Sequence, residues 1–422
     1  MRGAFRPRIP LDGFWRFRLD PEDVGEKEGW FRGFSGGDVI YVPSSWNEQN
    51  PQWDRYVGIA WYQRRFYVPH EHRGKVPWLV FKGAGYHAKV WLNGTYIGEH
   101  EGSFTEFRLR APALSYGSWN TLVVRIDNRP GLDRLPPARG LNETAFDFFP
   151  YGGIHRSVYL ELTSSSYVEE LIVETSHTGL LKVSVAAHVE RGGCEVALRL
   201  LDREERGVLH TRRRCVDGRA LFEERVEGAH PWCPDDPYLY TLVAELYVNG
   251  SLEDVVEERI GFRSVEVRDG RILLNGRPVF LKGFGRHEDF PVTGKHLPGA
   301  VLVRDFYLMR ILGANSFRTS HYPYSDEHLD LADEMGFLVI LESTVCLSGI
   351  SRIMPENELR RWCRDPGIRE KARRVAEEMI RQHRNRPSVI MYSIANEPPS
   401  DLEECADLLR ELAEYVRKLD PS

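Results

Sequence analysis

Hydrophobic and polar positions follow two rhythms along the chain. Up to about residue 265, short runs rich in β-branched and aromatic residues recur between Gly, Pro and Asn breaks. Examples are residues 60–68 (AWYQRRFYV), 89–100 (KVWLNGTYIGEH), 120–127 (NTLVVRID) and 156–163 (RSVYLELT). Asn93-Gly94, Asn249-Gly250 and Asn275-Gly276 each sit between such runs and predict tight hairpins. A polar break at residues 163–168 (TSSSYV) separates two β-rich blocks, 1–163 and 164–265. The second has the length of an immunoglobulin-like sandwich, without its paired-cysteine core signature. Residues 128–153 interrupt the strands with Pro130, Pro136, Pro137 and Pro150 but carry FDFFPYGG, too aromatic for a disordered linker.

After residue 265 strands alternate with helices. Residues 278–285, 315–323, 337–343 and 388–398 read as strands. Between them, residues 300–314 carry apolar positions at helical spacing with Gly313 as a stop. Ser325 caps a helix ending at Gly336, and Asp365-Pro366 opens a third. Ser400-x-x-Glu403 reads as a capping box for a last helix with the stripe Leu402, Ala406, Leu409, Ala413 and Val416. Serial strand–helix units predict a parallel sheet. A complete eight-unit barrel takes roughly 250 residues; residues 266–422 accommodate about half of one.

Composition narrows the functions. A net charge of −6 without a basic stripe argues against nucleic-acid binding. No apolar run reaches the roughly 18 residues of a membrane span, and the start lacks a signal-peptide core. Six cysteines without a C-x-x-C pair predict reduced thiols and a soluble, cytoplasmic protein. Arginine outnumbers lysine 47 to 9 and glutamines number four, a composition that leans towards a hot-growing source.

Candidate chemistry collects at the C-terminal ends of the four predicted strands: Arg286-His287-Glu288-Asp289, Arg318 with His321, Glu342, and Asn396-Glu397. In a barrel these ends form the catalytic face. Each group alone has an ordinary structural reading, but buried charge after every strand is costly unless paired or used. Glycosidic cleavage fits best, with a desolvated Glu397 as proton donor and Asn396 holding a sugar hydroxyl. Neither a phosphate loop nor H-E-x-x-H occurs, and consecutive residues 287–289 are poor chelators, so neither a cofactor nor a metal is expected.

GFGRHED, GANSFRTSHYPYSDEHLDLADEMG, MYSIANEP and VRKLDP resemble the barrel of family 2 glycoside hydrolases, most closely the β-glucuronidases. Upstream, LDGFWRF, VPSSWNEQ, WYQRRFYVP, KVWLNG and DFFPYGGIHRSVYL resemble that family's sugar-binding jelly roll. The resemblance implies a jelly roll (1–163), an immunoglobulin-like β-sandwich (164–265) and a (β/α)8 TIM barrel of which 266–422 supply about four units, with retaining hydrolysis of β-glycosides. It implies Glu397 as general acid/base, Asn396, His321 and Asp147 as sugar contacts, and Arg286 and His287 as framework, alongside Glu288, Arg318 and Glu342. Leu341 departs from the aspartate the family usually places before the third-strand glutamate. The family's nucleophile follows a seventh strand, so it is expected from outside this sequence, leaving the chain inactive alone. That nucleophile would come from a partner chain carrying the C-terminal half; alternatively a homo-oligomer covers the open barrel. A β-glucuronide is the favoured substrate, a β-galactoside the second choice, and a non-catalytic carbohydrate-binding protein the alternative reading.

Overall fold

The structure, a computed structural model, describes residues 5–421. The first β-rich block is a sandwich of two antiparallel sheets. The four-stranded sheet runs in the order Arg8–Pro10, Val158–Thr163, Val76–Phe81, Phe107–Arg110. The six-stranded sheet runs Asp38–Val42, Gly13–Leu19, Ile59–Val68, Ser118–Asp127, His87–Leu92, Thr95–Glu101. Alternation puts Trp15, Phe17, Tyr62, Leu79, Phe81 and Val124 between them, all essentially excluded from solvent. The second block packs a three-stranded antiparallel sheet on a four-stranded one around Val183, Val185, Leu198, Leu200, Leu242 and Leu246. All three Asn-Gly pairs lie at positive φ between paired strands, as the hairpin reading predicts.

The third region carries a parallel sheet whose strands lie in sequence order: β1 (Gly283–Arg286), β2 (Ser316–Thr319), β3 (Leu338–Glu342) and β4 (Val389–Ser393). Helices α1 (Gly299–Ile311) and α2 (Asp326–Met335) follow the first two strands. Ser325 accepts the His328 amide at the start of α2, and Gly336 ends it at φ 71°. After β3 come a short turn of helix α3 (Ile350–Ile353), then α4 (Glu356–Arg364) and α5 (Pro366–His383); α6 (Glu403–Leu419) follows β4. Asp365 caps α5 as expected. Helices α3 and α4 escaped the sequence reading, because Pro355 and the polar face of α4 mask a short period.

Three structural expectations are corrected. The cysteines are not all reduced: Cys194–Cys215 and Cys363–Cys405 are disulfides, leaving Cys233 and Cys346 free. Helices α4 and α6 pack side by side and bring the Cys363 and Cys405 Cα atoms to 5.0 Å, a proximity that spacing along the chain does not reveal. The cysteine argument for a cytoplasmic location therefore falls. Ser400 does not cap α6; Leu402 occupies the N-cap position without a side-chain bond. Burying Leu402 in the core outweighs the roughly 1 kcal/mol of a cap. The buried stripe of α6 is accordingly Cys405, Leu408, Leu412 and Val416 rather than Ala406, Leu409 and Ala413. Leu341 points into the apolar core, not the pocket, so a carboxylate there would face hydrocarbon.

Among the described residues no helix is long and apolar enough to cross a membrane. Large apolar side chains stand exposed at the β1–α1 edge, including Phe280 and Ile311, each 79% accessible.

The long Pro-rich segment is ordered and fastened to the barrel. Trp362 Nε1 donates to the Leu132 carbonyl at 2.6 Å, Arg139 Nε to that of Ile353 at 2.6 Å, and the Gly349 amide to that of Ala145 at 3.3 Å. Beneath it, Arg156 crosses from sandwich to barrel, donating to the carbonyls of Phe104 and Pro323 and to Glu288. A fully buried Arg6–Asp254 pair ties the first sandwich to the second.

Candidate active site

Glu342 at the end of β3 is the hub. It is fully buried, and its Oε1 lies 2.5 Å from His321 Nδ1. Its Oε2 accepts Ser393 Oγ from β4 at 2.6 Å and faces Arg318 Nη1 from β2 at 3.4 Å. Three neighbouring strands are thus cross-linked through one carboxylate, a demanding arrangement that stands only because every oxygen is occupied. The other nitrogen of His321, Nε2, faces Asp147 Oδ1 at 3.7 Å. Asp147 comes from the Pro-rich segment of the sandwich, with its side chain 64% exposed.

Asn396 follows β4 and is held from both sides. Its Oδ1 accepts Arg318 Nη1 at 3.5 Å, its Nδ2 donates to Cys346 Sγ at 3.4 Å, and its amide donates to the Val345 carbonyl at 2.9 Å. Glu397 is different. It is exposed rather than desolvated, its backbone sits at φ 44°, and its carboxylate bonds to none of the described residues. A left-handed backbone at a non-glycine residue costs roughly 1–2 kcal/mol and concentrates at working sites. Glu342 and Glu397 share no hydrogen bond, because the Glu342 oxygens are taken by His321, Ser393 and Arg318.

Arg286, His287 and Glu288 lie deeper. Glu288 is buried, pairs with Arg156 Nη2 at 2.9 Å and accepts the Ser325 amide at 2.9 Å. Burial alone would raise its pKa, but Arg156, His328 and the Ser325 amide hold it well below the carboxylate range. Arg286 donates to Asp305 at 2.6 Å and touches His328 Nε2 at 3.5 Å. His287 sits in a ring cluster with Phe148, His321 and Tyr322. Its buried Nδ1 has no partner, and desolvation, helped by the charge of Lys295, holds the imidazole neutral. Residues 287–289 diverge: Glu288 turns to Arg156, while Asp289 turns to Lys295 at 2.5 Å.

The sequence reading missed Lys295, Ser393 and Cys346. Lys295 is buried against the Phe148 and Tyr322 rings, its Nζ 2.9 Å from Tyr322 Oη. A lysine in a chain with so few of them, close behind the His-Glu-Asp run, was the available signal. Ser393 ends an apolar strand and offered none.

The site draws two carboxylates, one imidazole, one amide and one guanidinium to the C-terminal ends of β2–β4, roofed by a loop from another domain. Matches to known families agree with this. Residues 9–164 match the sugar binding domain of glycosyl hydrolases family 2, residues 166–263 match glycosyl hydrolases family 2, and residues 265–422 match that family's TIM barrel domain. A beta-glucuronidase of Paenibacillus borealis is 34% identical, the match covering 97% of this chain and 71% of the relative. This chain belongs to family 2 of the glycosyl hydrolases. A second relative, the beta-glucuronidase of Felis catus, is 33% identical over 99% of this chain and 68% of its own length. Among solved structures, the b-glucuronidase from Ruminococcus gnavus in complex with D-glucuronic acid superposes with a TM-score of 0.88 at 32% identity. That superposition covers all of this chain and 72% of the other. As a family 2 member the chain is a glycosidase, built from the sugar-binding, central and TIM-barrel parts of that family.

Proposed function

We propose that this chain carries the sugar-holding and acid/base part of a retaining β-glucuronidase site. The observation that carries it is the continuous contact chain Asp147–His321–Glu342–Arg318–Asn396, with the unengaged Glu397 next in sequence. Asp147 and His321 hold sugar hydroxyls, and Asn396, gripped by Arg318 and Cys346, presents its amide beside the reacting carbon. Glu397 donates a proton to the leaving oxygen and later removes one from water. Its exposure leaves the carboxyl open to the leaving oxygen of an arriving glycoside.

A retaining site needs a second carboxylate about 5–5.5 Å from the first. Glu342 is bonded on both oxygens, and Glu288 is neutralised by Arg156. Neither is free to attack an anomeric carbon, so the nucleophile comes from outside these 422 residues. The relatives' names favour a β-glucuronide over a β-galactoside.

The test is hydrolysis of chromogenic β-glucuronide and β-galactoside by the 422-residue chain alone and with a family-typical C-terminal half added. The expected result is no turnover alone, β-glucuronide turnover after complementation, and loss of that turnover in Glu397→Gln. Turnover by the chain alone would refute the divided site. Saturable sugar binding without turnover in both settings would make it a binding protein.

A further inference from the structure

The pocket mouth holds a second pattern that overlaps the sugar contacts and adds a thiol to them. Asp147, His321 and Cys346 each present a ligand atom, and these atoms lie within 4.8 Å of one another. We propose that the three form a binding site for a borderline-soft divalent transition metal of the zinc class. A metal seated there excludes the sugar, a consequence that rests on the assignment of Asp147 and His321 as sugar contacts.

Three features support a built site. First, the donor set is carboxylate, imidazole and thiol, which selects zinc-like ions over magnesium or calcium. Second, the histidine is oriented as metal-bound histidines are. His321 Nδ1 is engaged by the buried Glu342, leaving Nε2 directed at Asp147. A carboxylate on the far ring nitrogen fixes the tautomer and the ring orientation. Glu342 is itself held by Ser393 and Arg318, so the support reaches another layer outward. Third, Cys346 is free and buried, and its sulfur is positioned by the N–H it accepts from Asn396.

The geometry asks for little movement. Bonds of about 2.0–2.3 Å to zinc place tetrahedral ligand atoms about 3.3–3.7 Å apart. The carboxylate and imidazole already stand 3.7 Å apart. All three ligand atoms lie within 4.8 Å of one another, and Asp147 is exposed on its loop and has room to adjust. Binding exchanges the thiol proton for the metal: the S–H bond breaks, the sulfur electron pair forms the S–metal bond, and the proton passes to solvent. Three protein ligands leave a fourth position for water.

The test adds cobalt(II), then zinc, to the purified chain. The expected result is a sulfur-to-cobalt charge-transfer band with intense tetrahedral visible bands, both abolished by zinc. Cys346→Ser removes the charge-transfer band and weakens zinc binding by at least about tenfold. Cys233→Ser, at the other free thiol, keeps both. No charge-transfer band, or unchanged zinc affinity in a folded Cys346→Ser, overturns the site. D-Glucuronate is expected to weaken zinc binding in proportion to its own occupancy. If D-glucuronate binds without doing so, the shared-pocket claim fails. If it does not bind while the Cys346-dependent band persists, the sugar reading fails and the metal site stands.

Discussion

Glu288 and Glu397 are both carboxylates just beyond the C-terminal ends of barrel strands, yet they live under opposite conditions. Glu288 is 2% exposed and held by Arg156, Ser325 and His328. Glu397 is exposed, lies at φ 44° and touches no described polar partner. The difference separates stability from chemistry. A saturated buried carboxylate locks domains together and cannot change protonation, whereas an unengaged one on a strained backbone is available to react. The strain at the rim persists because the floor is over-determined.

Removing the floor's cation should have the largest effect on stability. Arg156→Ala leaves Glu288 buried and unpaired and should lower the unfolding free energy by about 3–5 kcal/mol, read as a drop in the urea midpoint. A midpoint shift under about 1 kcal/mol would show that the interface relaxes to admit water.

Acid should probe the same buried layer. Burial pushes His155 down to about 3, His328 to about 4 and His383 to about 3. The unfolded chain takes up protons near the ordinary value of 6.5 while the folded chain does not. Stability should therefore be full above that value and fall by a few kcal/mol as pH drops from about 6.5 towards 4. A thermal midpoint flat over this window would mean that the folded chain accommodates charged imidazoles.

At the rim, Glu397→Gly should raise stability slightly, by about 0.5 kcal/mol, because relief of the left-handed strain exceeds glycine's entropy cost. The same change should abolish turnover in the complemented enzyme, and a destabilised variant would show that the loop is not strained. Asp147→Asn should change stability least, within about 0.5 kcal/mol, while weakening D-glucuronate binding in titration calorimetry. Loss of folding in that variant would move Asp147 from the rim to the floor.

Much of the architecture was legible along the chain because it rests on local periodicity. The alternating runs of residues 60–68 and 120–127, the three Asn-Gly hairpins, and the caps at Ser325 and Asp365 each express an interaction completed within a few residues. Position at strand ends likewise marked Arg318, Glu342 and Asn396, because the ends of barrel strands face one mouth. Ser400 failed as a cap for the complementary reason: a local hydrogen bond lost to burial of Leu402, which only the packed core rewards.

The sequence by itself determined the two rhythms, the parallel strand order and the carboxylate-bearing strand ends, since these depend on spacing along one chain. Tertiary structure alone decided that Glu342 links three strands, that Asp147 reaches His321 from another domain, and that Glu397 stands unengaged. It also decided that Cys363 meets Cys405 across two helices. Those facts depend on which distant side chains exclude water from one another. Burial sets their electrostatics, and burial is a property of the packed molecule rather than of any one segment.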